Sequence, residues 1–279
     1  MVPIYFKWLQ HVDPLEILSH RVLWSVVLLL GILVATRQMD ALRIAPGKLW
    51  KLVITSALLA TNWLIFIYAV TNNNIAATSL GYFINPLVSV FLGMIFLGER
   101  LRPLQWLAIA IAAFGILFQL VYYGSLPALS LGLAFSFGFY GLLRKNLNLP
   151  SVAGLTVETI IVSPAALAWL IWLATQDTMA FAHVGAGTDI LLILAGFVTS
   201  FPLLCFAAAV TRLSLTAAGM FQYIAPSMSL GIAVLIYNEP FGFDRVVTFS
   251  CIWMALAIFT TESIWFHQKI TSRLERNLP

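Results

Sequence analysis

Charged residues are scarce in this sequence. Only 9% of its 279 residues are Asp, Glu, Lys or Arg, whereas 61% are hydrophobic, and the mean hydropathy is +0.95. Soluble domains carry about 25% charged and roughly 45–50% apolar residues. The composition therefore excludes a soluble enzyme, a nucleic-acid-binding domain and a disordered chain.

Cysteine is also scarce, and the usual motifs of catalysis are missing. The two cysteines, Cys205 and Cys251, lie in apolar runs, which excludes a disulfide-rich secreted scaffold. The sequence has no glycine-rich phosphate loop, no histidine spacing typical of zinc and no serine in a nucleophile elbow. We therefore expect no enzyme, no metal site and no cofactor.

Long hydrophobic runs dominate instead. A membrane helix needs about 20 apolar residues, and these runs lack the strict alternation of a β-barrel. The pattern predicts an all-α polytopic membrane protein with nine complete helices, at 15–35, 50–70, 75–97, 104–121, 126–143, 152–174, 190–210, 215–237 and 246–266. An incomplete helix is predicted at 2–9, where the apolar run is too short to span a bilayer.

The basic residues are distributed asymmetrically. If the C-terminus is cytoplasmic, twelve of the fifteen Lys and Arg residues fall on the cytoplasmic side, and Lys7, Arg21 and Arg245 fall on the other. Such asymmetry is the positive-inside signature and predicts a cytoplasmic C-terminus. It also explains the net charge of +4 without a nucleic-acid partner.

The sequence contains an internal repeat at an offset of 140 residues. Segments 66–99 and 206–239 share nine identities in 34 positions, including Pro86 with Pro226 and Glu99 with Glu239. The offset covers five helices, so the second copy is inverted, as in many secondary transporters. We predict two inverted five-helix repeats, at 1–123 and 124–279. The complete form then has ten membrane helices, and the first is truncated here, because residue 1 would lie inside it.

Short segments with a characteristic order and spacing carry a family resemblance. They are HRVLWS at 20–25, NWLIF at 62–66, SLGYFINPL at 79–87, GER at 98–100, GLAFSF at 132–137 and FQYI at 221–224. Together they resemble the RarD-type branch of the EamA family, in the drug/metabolite transporter superfamily. The resemblance implies a carrier in the bacterial inner membrane that exports a small amphipathic metabolite or drug, and a connection with chloramphenicol.

Two ionisable residues lie deep in predicted helices, where such groups usually face a cavity or a partner. Arg21 and Glu158 each lie about two turns into the second helix of their half. We hypothesise that they face each other across a central cavity, where Arg21 takes a carboxylate and Glu158 takes an ammonium group or a proton. The alternatives are a structural ion pair, or an Arg21 side chain that snorkels outward.

Polar and aromatic residues in the apolar helices complete the predicted site, because aromatic walls with a few polar groups suit amphipathic ligands. The other candidate substrate-binding residues are Asn62, Trp63, Tyr82, Asn85, Tyr140, Gln222 and Tyr223. Pro86 and Pro226 are candidate hinges at matched positions, since proline removes a helix hydrogen bond. Static curvature for packing is the alternative.

Two further patterns have two interpretations each. Glu16 and His20, four residues apart, form either a proton-sensing pair or a pair wetted by lipid headgroups. The small residues Ala108, Ala112 and Ala113 predict close helix packing or a homodimer face.

The sequence thus predicts a secondary carrier that works by alternating access, with a small-molecule substrate and with proton coupling through Glu158 as a further hypothesis. The main rival is a non-transporting membrane assembly or sensor protein, which the short first helix favours. A channel and a membrane-embedded enzyme are weaker rivals.

Overall fold

The computed structural model describes residues 5, 8–71, 75–123, 128–235 and 242–276, and these residues form an all-helical bundle. The helices are α1 (Pro14–Ala35), α2 (Pro46–Thr71), α3 (Ile75–Leu97), α4 (Pro103–Tyr123), α5 (Ala128–Leu147), α6 (Ser151–Thr175), α7 (Ala186–Arg212), α8 (Leu215–Phe221), α9 (Ile224–Leu235) and α10 (Phe243–Arg276). A short 3₁₀ turn, Met39–Leu42, links α1 to α2. Seven of the helices are long and apolar enough to cross a membrane, namely α1 to α4, α6, α7 and α10.

Eight of the nine complete helices predicted from the sequence are continuous, with ends that differ from the prediction by several residues at most, except that α10 runs on to Arg276. Of the incomplete helix at 2–9, only residues 5, 8 and 9 are among the described residues. The predicted boundary between the repeats, at 123/124, adjoins the segment 124–127, which also lies outside them.

The predicted continuous helix 215–237 is wrong, because the structure divides it into α8 and α9. At the break, the backbone N–H groups of Gln222, Tyr223 and Ala225 donate to carbonyls only three residues back. Pro226 explains part of this, since it has no N–H to donate to the Gln222 carbonyl and its ring crowds that carbonyl. Pro86 lies inside the continuous helix α3, so the two matched prolines have different structural effects.

The helices pack in three groups. Helix α1 packs on α6 and α7, α3 packs on α5 and α8, and α4 packs on α10. Helix α2 contacts both α5 and α6 and so joins the first two groups. The packing of α1 on α7 is close because residue 196 is glycine: a Cβ there would lie 2.5 Å from the backbone of Trp24. Small residues at such contacts are typical of membrane helix pairs.

Helices α4 and α10 are joined at both ends as well as along their length. Ala108 and Ala112 are fully buried against α10, which confirms close packing through small residues and shows that a dimer face built on these two is wrong. Near the start of α4, the partly exposed Arg102 forms an ion pair with the buried Glu262. Near its end, Gln119 donates to Asp244 at 3.2 Å.

One end of the bundle is rich in basic residues, and we call it the basic face; it carries Arg43, Lys48, Arg102, Lys145 and Arg212. Lys48 donates to the Leu147 carbonyl at the end of α5, and Lys145 donates to the Val210 and Leu213 carbonyls at the end of α7. Cations at helix C-termini satisfy the last carbonyls and oppose the negative end of the helix dipole. Lys48 and Lys145 therefore stabilise the ends of α5 and α7.

Candidate functional site

The candidate site is an internal space between the α1 group and the α3 group, and Tyr82 on α3 reveals it. Tyr82 is 52% exposed, and it interacts electrostatically with the Arg21 guanidinium on α1, which belongs to the other group of helices. A half-exposed side chain that interacts with a charge on the other helix group borders the space between the two groups. Concave internal sites of this kind are where small molecules bind.

Arg21 of α1 extends toward the same space. Its Nε donates to the Thr199 hydroxyl of α7 at 2.8 Å, and its guanidinium lies 5.4 Å from the ring centroid of Trp63. It also interacts electrostatically with the Tyr82 hydroxyl of α3 and with Tyr5. The side chain therefore points inward, and the alternative that it snorkels outward is wrong.

Helix α2 supplies one wall of this space. Trp63 is buried beneath the guanidinium, and Phe66, one turn further on, lies 6.4 Å from the Tyr82 ring, measured between centroids. Asn62 has a different role: its amide nitrogen donates to the Leu133 carbonyl and the Ser136 hydroxyl of α5, at 2.9 and 3.0 Å. Asn62 thus anchors α2 to α5 beside the aromatic wall.

The break between α8 and α9 is tied to α3. The Asn85 amide donates to the side-chain oxygen of Gln222, and Gln222 donates weakly to the Ala218 carbonyl at 3.5 Å. Tyr223 is fully buried, and within the described residues its hydroxyl has no hydrogen-bond partner. Asn85 and Gln222 are therefore in contact, and Tyr223 follows Gln222 at the place where the backbone is interrupted.

The start of α8 is also held by α3, at the basic face. The Glu99 carboxylate accepts from the backbone N–H groups of Leu215 and Thr216, at 2.6 and 2.9 Å. A carboxylate at a helix N-terminus satisfies unpaired donors and the positive end of the dipole. The helix that Glu99 caps belongs to the other half of the chain. Its repeat partner, Glu239, lies outside the described residues.

Glu158 is fully buried in a cluster of its own. Its carboxylate accepts from the Thr55 hydroxyl at 2.7 Å and the Tyr140 hydroxyl at 3.1 Å, and its ion-pair partner is Arg144, at 3.9 Å. The sequence had suggested Arg21 as that partner. Helix α6 places Glu158 toward the basic face, whereas Arg21 meets Thr199 near the middle of α7. Tyr140 belongs with Glu158 in this buried cluster rather than with Tyr82.

Arg144 and Thr55 are the residues that sequence reasoning missed. Arg144 was counted among the cytoplasmic charges, but it is fully buried and donates to the carbonyls of Pro150 and Ser151 at 3.4 and 3.0 Å. Gly154 makes room for it, because a Cβ there would lie 1.7 Å from Arg144 Nη1. The available signal was a glycine one turn before a glutamate in an otherwise apolar helix.

Glu16 and His20 are both buried, so the interpretation of a headgroup-wetted pair is wrong. The Glu16 carboxylate accepts from the backbone N–H groups of Ala180 and Phe181 at 2.9–3.0 Å, and His20 lies 4.0 Å from it. Glu16 therefore fastens the connection between α6 and α7 to the start of α1. Across the described part of the chain, no group of three or more His, Cys, Asp and Glu side chains is placed to hold a metal ion.

Comparisons with known proteins agree with this architecture. The profile of the EamA-like transporter family matches residues 1–121 and 126–261. An uncharacterized transporter of Vibrio cholerae is 49% identical over 95% of this chain and 88% of its own length. Protein RarD of Escherichia coli K12 is 46% identical over 98% of this chain and 93% of its own length. A solved crystal structure at 17% identity superposes with a TM-score of 0.72 over 92% of this chain and 91% of that chain, a likeness of fold.

The Arg144–Glu158 pair yields a stability prediction. In Arg144→Met, Glu158 stays buried without its counter-ion, and we expect a loss of about 3 kcal/mol in unfolding free energy. The double variant Arg144→Met/Glu158→Leu removes both charges and should recover most of that loss. The measurement is an SDS titration of purified protein in mixed micelles.

Arg43→Met is the matched control, because the Arg43–Asp40 pair is 86% and 84% exposed and such pairs contribute little. An Arg144→Met variant as stable as Arg43→Met would contradict the assignment of Arg144 as the counter-ion of Glu158.

Proposed function

Since the chain belongs to the RarD-type branch of the EamA-like transporter family, we propose that it is a secondary transporter whose substrate occupies the space beside Tyr82. It is a multi-pass protein of the bacterial inner membrane, as its spans and its bacterial relatives indicate. The observation that carries the proposal is the 52% exposure of Tyr82 beside Arg21, where two packed groups of helices face each other.

The proposed mechanism is alternating access by two inverted repeats, 1–123 and 124–279. Under that symmetry α1 is equivalent to α6, α3 to α8 and α9, and α4 to α10. The packing supports it, because α1 packs on α6, α3 on α8 and α4 on α10, so these three helices contact their own equivalents. Helices near a pseudo-two-fold axis pack in this way, and the substrate site of such carriers lies where the repeats meet.

In this mechanism the break between α8 and α9 is the hinge. Helix α8 is held to α3 by Glu99 at one end and by the Asn85–Gln222 bond at the other. Helix α9 beyond the break makes few contacts with α3, so it is the part free to move relative to α8. Pro226 provides the interruption. Pro86, on the facing helix, has no N–H to donate to the Tyr82 carbonyl, which therefore lacks its usual helix partner.

We place the basic face in the cytoplasm, which puts the C-terminus there as well. The support is the positive-inside rule, since Lys48 and Lys145, which cap helix ends, lie at this face together with Arg102. Transport runs outward, and the substrate is a small amphipathic metabolite or drug; chloramphenicol is one compound to test. These two statements rest on the family to which the chain belongs.

Ligand binding tests this proposal. Purified full-length protein is screened by thermal unfolding with amino acids, small organic acids and amphipathic drugs, including chloramphenicol. A ligand that binds only the folded state stabilises it by about 2.7 kcal/mol at a hundredfold excess over Kd. We expect at least one compound to raise the Tm, and Tyr82→Leu to reduce that shift.

Tyr122→Leu, on the exposed end of α4, is the control and should keep the full shift. If no compound in the screen raises the Tm, or if Tyr122→Leu lowers the shift as much as Tyr82→Leu, the internal space is not the substrate site. The protein would then fit a non-transporting membrane subunit better.

Proton coupling is proposed through Glu158. A proton on this carboxylate weakens its attraction to Arg144, and so loosens the contact between α5 and α6. Glu158→Gln keeps the shape and removes the titration, so transport in proteoliposomes should lose its dependence on a pH gradient. Glu262→Gln, a carboxylate paired with Arg102 in the α4–α10 unit, should keep that dependence. A Glu158→Gln protein that still responds fully to the gradient would refute coupling through this residue.

A further inference from the structure

We infer that a sodium ion binds between α3 and the end of α8, on oxygen atoms of Tyr82, Asn85 and Ser89. The inference goes beyond the proposed function and does not depend on it, because a cation can bind here whether or not the space beside Tyr82 takes a substrate. The site is also separate from Glu158, which is paired with Arg144 of α5.

Buried oxygens without a partner are concentrated at the contact between α3 and α8. Within the described part of the chain, five side-chain oxygens are buried and lack a hydrogen-bond partner, and four of them lie on α3, on α8 or at the break after α8. Those four are Asn85 Oδ1, Ser89 Oγ, Thr216 Oγ1 and Tyr223 OH, and the fifth is Ser200 Oγ on α7. Because buried polar groups in folded proteins are nearly always satisfied, this concentration points to a bound ion or water.

Three oxygens of α3 converge on a single helical turn. Asn85 and Ser89 are only 5% and 1% exposed, and their spacing of four residues places them on one face of the helix. Side chains in a helix lean toward its N-terminus, so Ser89 leads back over Asn85. The Tyr82 carbonyl points forward along the helix to the same turn, where Pro86 has no N–H to give it.

The Ser89 hydroxyl is turned away from its own helix. Ser19, Ser56 and Ser136, which are also buried, each donate to a carbonyl three or four residues back. This bond is the ordinary arrangement for serine inside a helix, and among the described residues Ser89 makes no such bond. Its side chain lies against α8 instead, because a Cβ on Gly219 would be 2.8 Å from the Ser89 Cβ.

The end of α8 closes the site and adds acceptors to it. The side-chain oxygen of Gln222 accepts from the Asn85 amide nitrogen, which leaves Asn85 Oδ1 for another partner. Helix α8 ends at Phe221, and the last carbonyls of a helix lack their usual N–H donors. Acceptors therefore outnumber donors, and a cation satisfies more of them than a water molecule with two hydrogens. Carbonyls at interrupted helices hold sodium in other secondary transporters.

The charge and size of the site select sodium. The oxygens of Tyr82, Asn85 and Ser89 are neutral, whereas calcium and magnesium sites rely on carboxylates. No group of three or more His, Cys, Asp and Glu side chains in the described residues could supply them. The space is also narrow, because a Cβ on Gly219 would lie 3.0 Å from the Pro86 carbonyl oxygen. A small monovalent cation therefore fits better than potassium.

Thermal unfolding in different salts tests the inference. Purified full-length protein is heated in NaCl, KCl or choline chloride at equal ionic strength. We expect sodium alone to raise the Tm in a saturable way, by about 3 °C at a tenfold excess over Kd, because it binds only the folded state. Binding of radioactive sodium to the same preparation should saturate over the same range of concentration.

Two variants locate the ion, and a third is their control. Ser89→Ala removes one ligand and should raise the half-saturating sodium concentration about tenfold. Asn85→Asp keeps the oxygen and adds a negative charge, so it should lower that concentration and allow calcium to raise the Tm as well. Ser200→Ala removes an equally buried, unpartnered hydroxyl on α7 and should respond to sodium like the unaltered protein.

Equal Tm values in NaCl and choline chloride would overturn the inference. So would a Ser89→Ala protein that responds like Ser200→Ala, or potassium that stabilises as strongly as sodium. The ligand screen with Tyr82→Leu is a separate measurement: a sodium effect without any ligand hit contradicts the proposed function alone, and ligand hits without a sodium effect contradict this inference alone. A circular dichroism spectrum of each variant confirms that it remains folded.

Discussion

A charge inside a bilayer must be matched by the protein, and this constraint organises the whole bundle. Hydrocarbon offers no hydrogen bonds, so backbone groups are satisfied within helices and ionisable side chains need partners. Glu158 has Arg144 and two hydroxyls, Glu16 has two backbone N–H groups, and Glu99 has the first N–H groups of α8. The contacts of Glu158 with Thr55, of Glu16 with residues 180 and 181, and of Glu99 with α8 join elements more than 100 residues apart in the chain, so satisfying a charge also positions a helix.

The need to satisfy buried polar groups also separates the tightly packed helices from the part of the bundle that can change conformation. Helices α4 and α10 are joined at both ends and packed through small residues, which makes them a stable support. The interior between α1 and α3 differs, because Tyr82 is exposed there and the helix facing α3 is interrupted before Pro226. A transporter needs both properties: a supporting unit that keeps its packing, and a site bordered by a backbone that can bend.

Much of the fold follows from hydropathy, while the partners of the buried charges do not. Runs of about 20 apolar residues have no other stable form in lipid, so helix positions such as 75–97 are predicted to the residue. The break at Gln222 was missed because Pro86, Pro164 and Pro202 all lie in continuous helices, and a proline in the sequence does not say which will break. The depth of Arg21 and Glu158 in their helices marked them as unusual. Their partners could not be predicted, because the sequence does not show how each helix is rotated about its axis and so which neighbour each side chain faces. Arg144 looked like a loop charge because its burial depends on the absent side chain of Gly154.

If the space beside Tyr82 opens to water during transport, a cysteine placed at position 82 must be chemically accessible. Cys205→Ser and Cys251→Ser remove the two native thiols, and Tyr82→Cys adds a reporter in that background. A membrane-impermeant thiol reagent is then applied to each side of oriented membranes, with Ala134→Cys, fully buried on α5, as the reference. The account predicts that the cysteine at position 82 reacts and that a stabilising ligand slows the reaction. A cysteine at position 82 that is as unreactive as the one at position 134, from both sides, would contradict it.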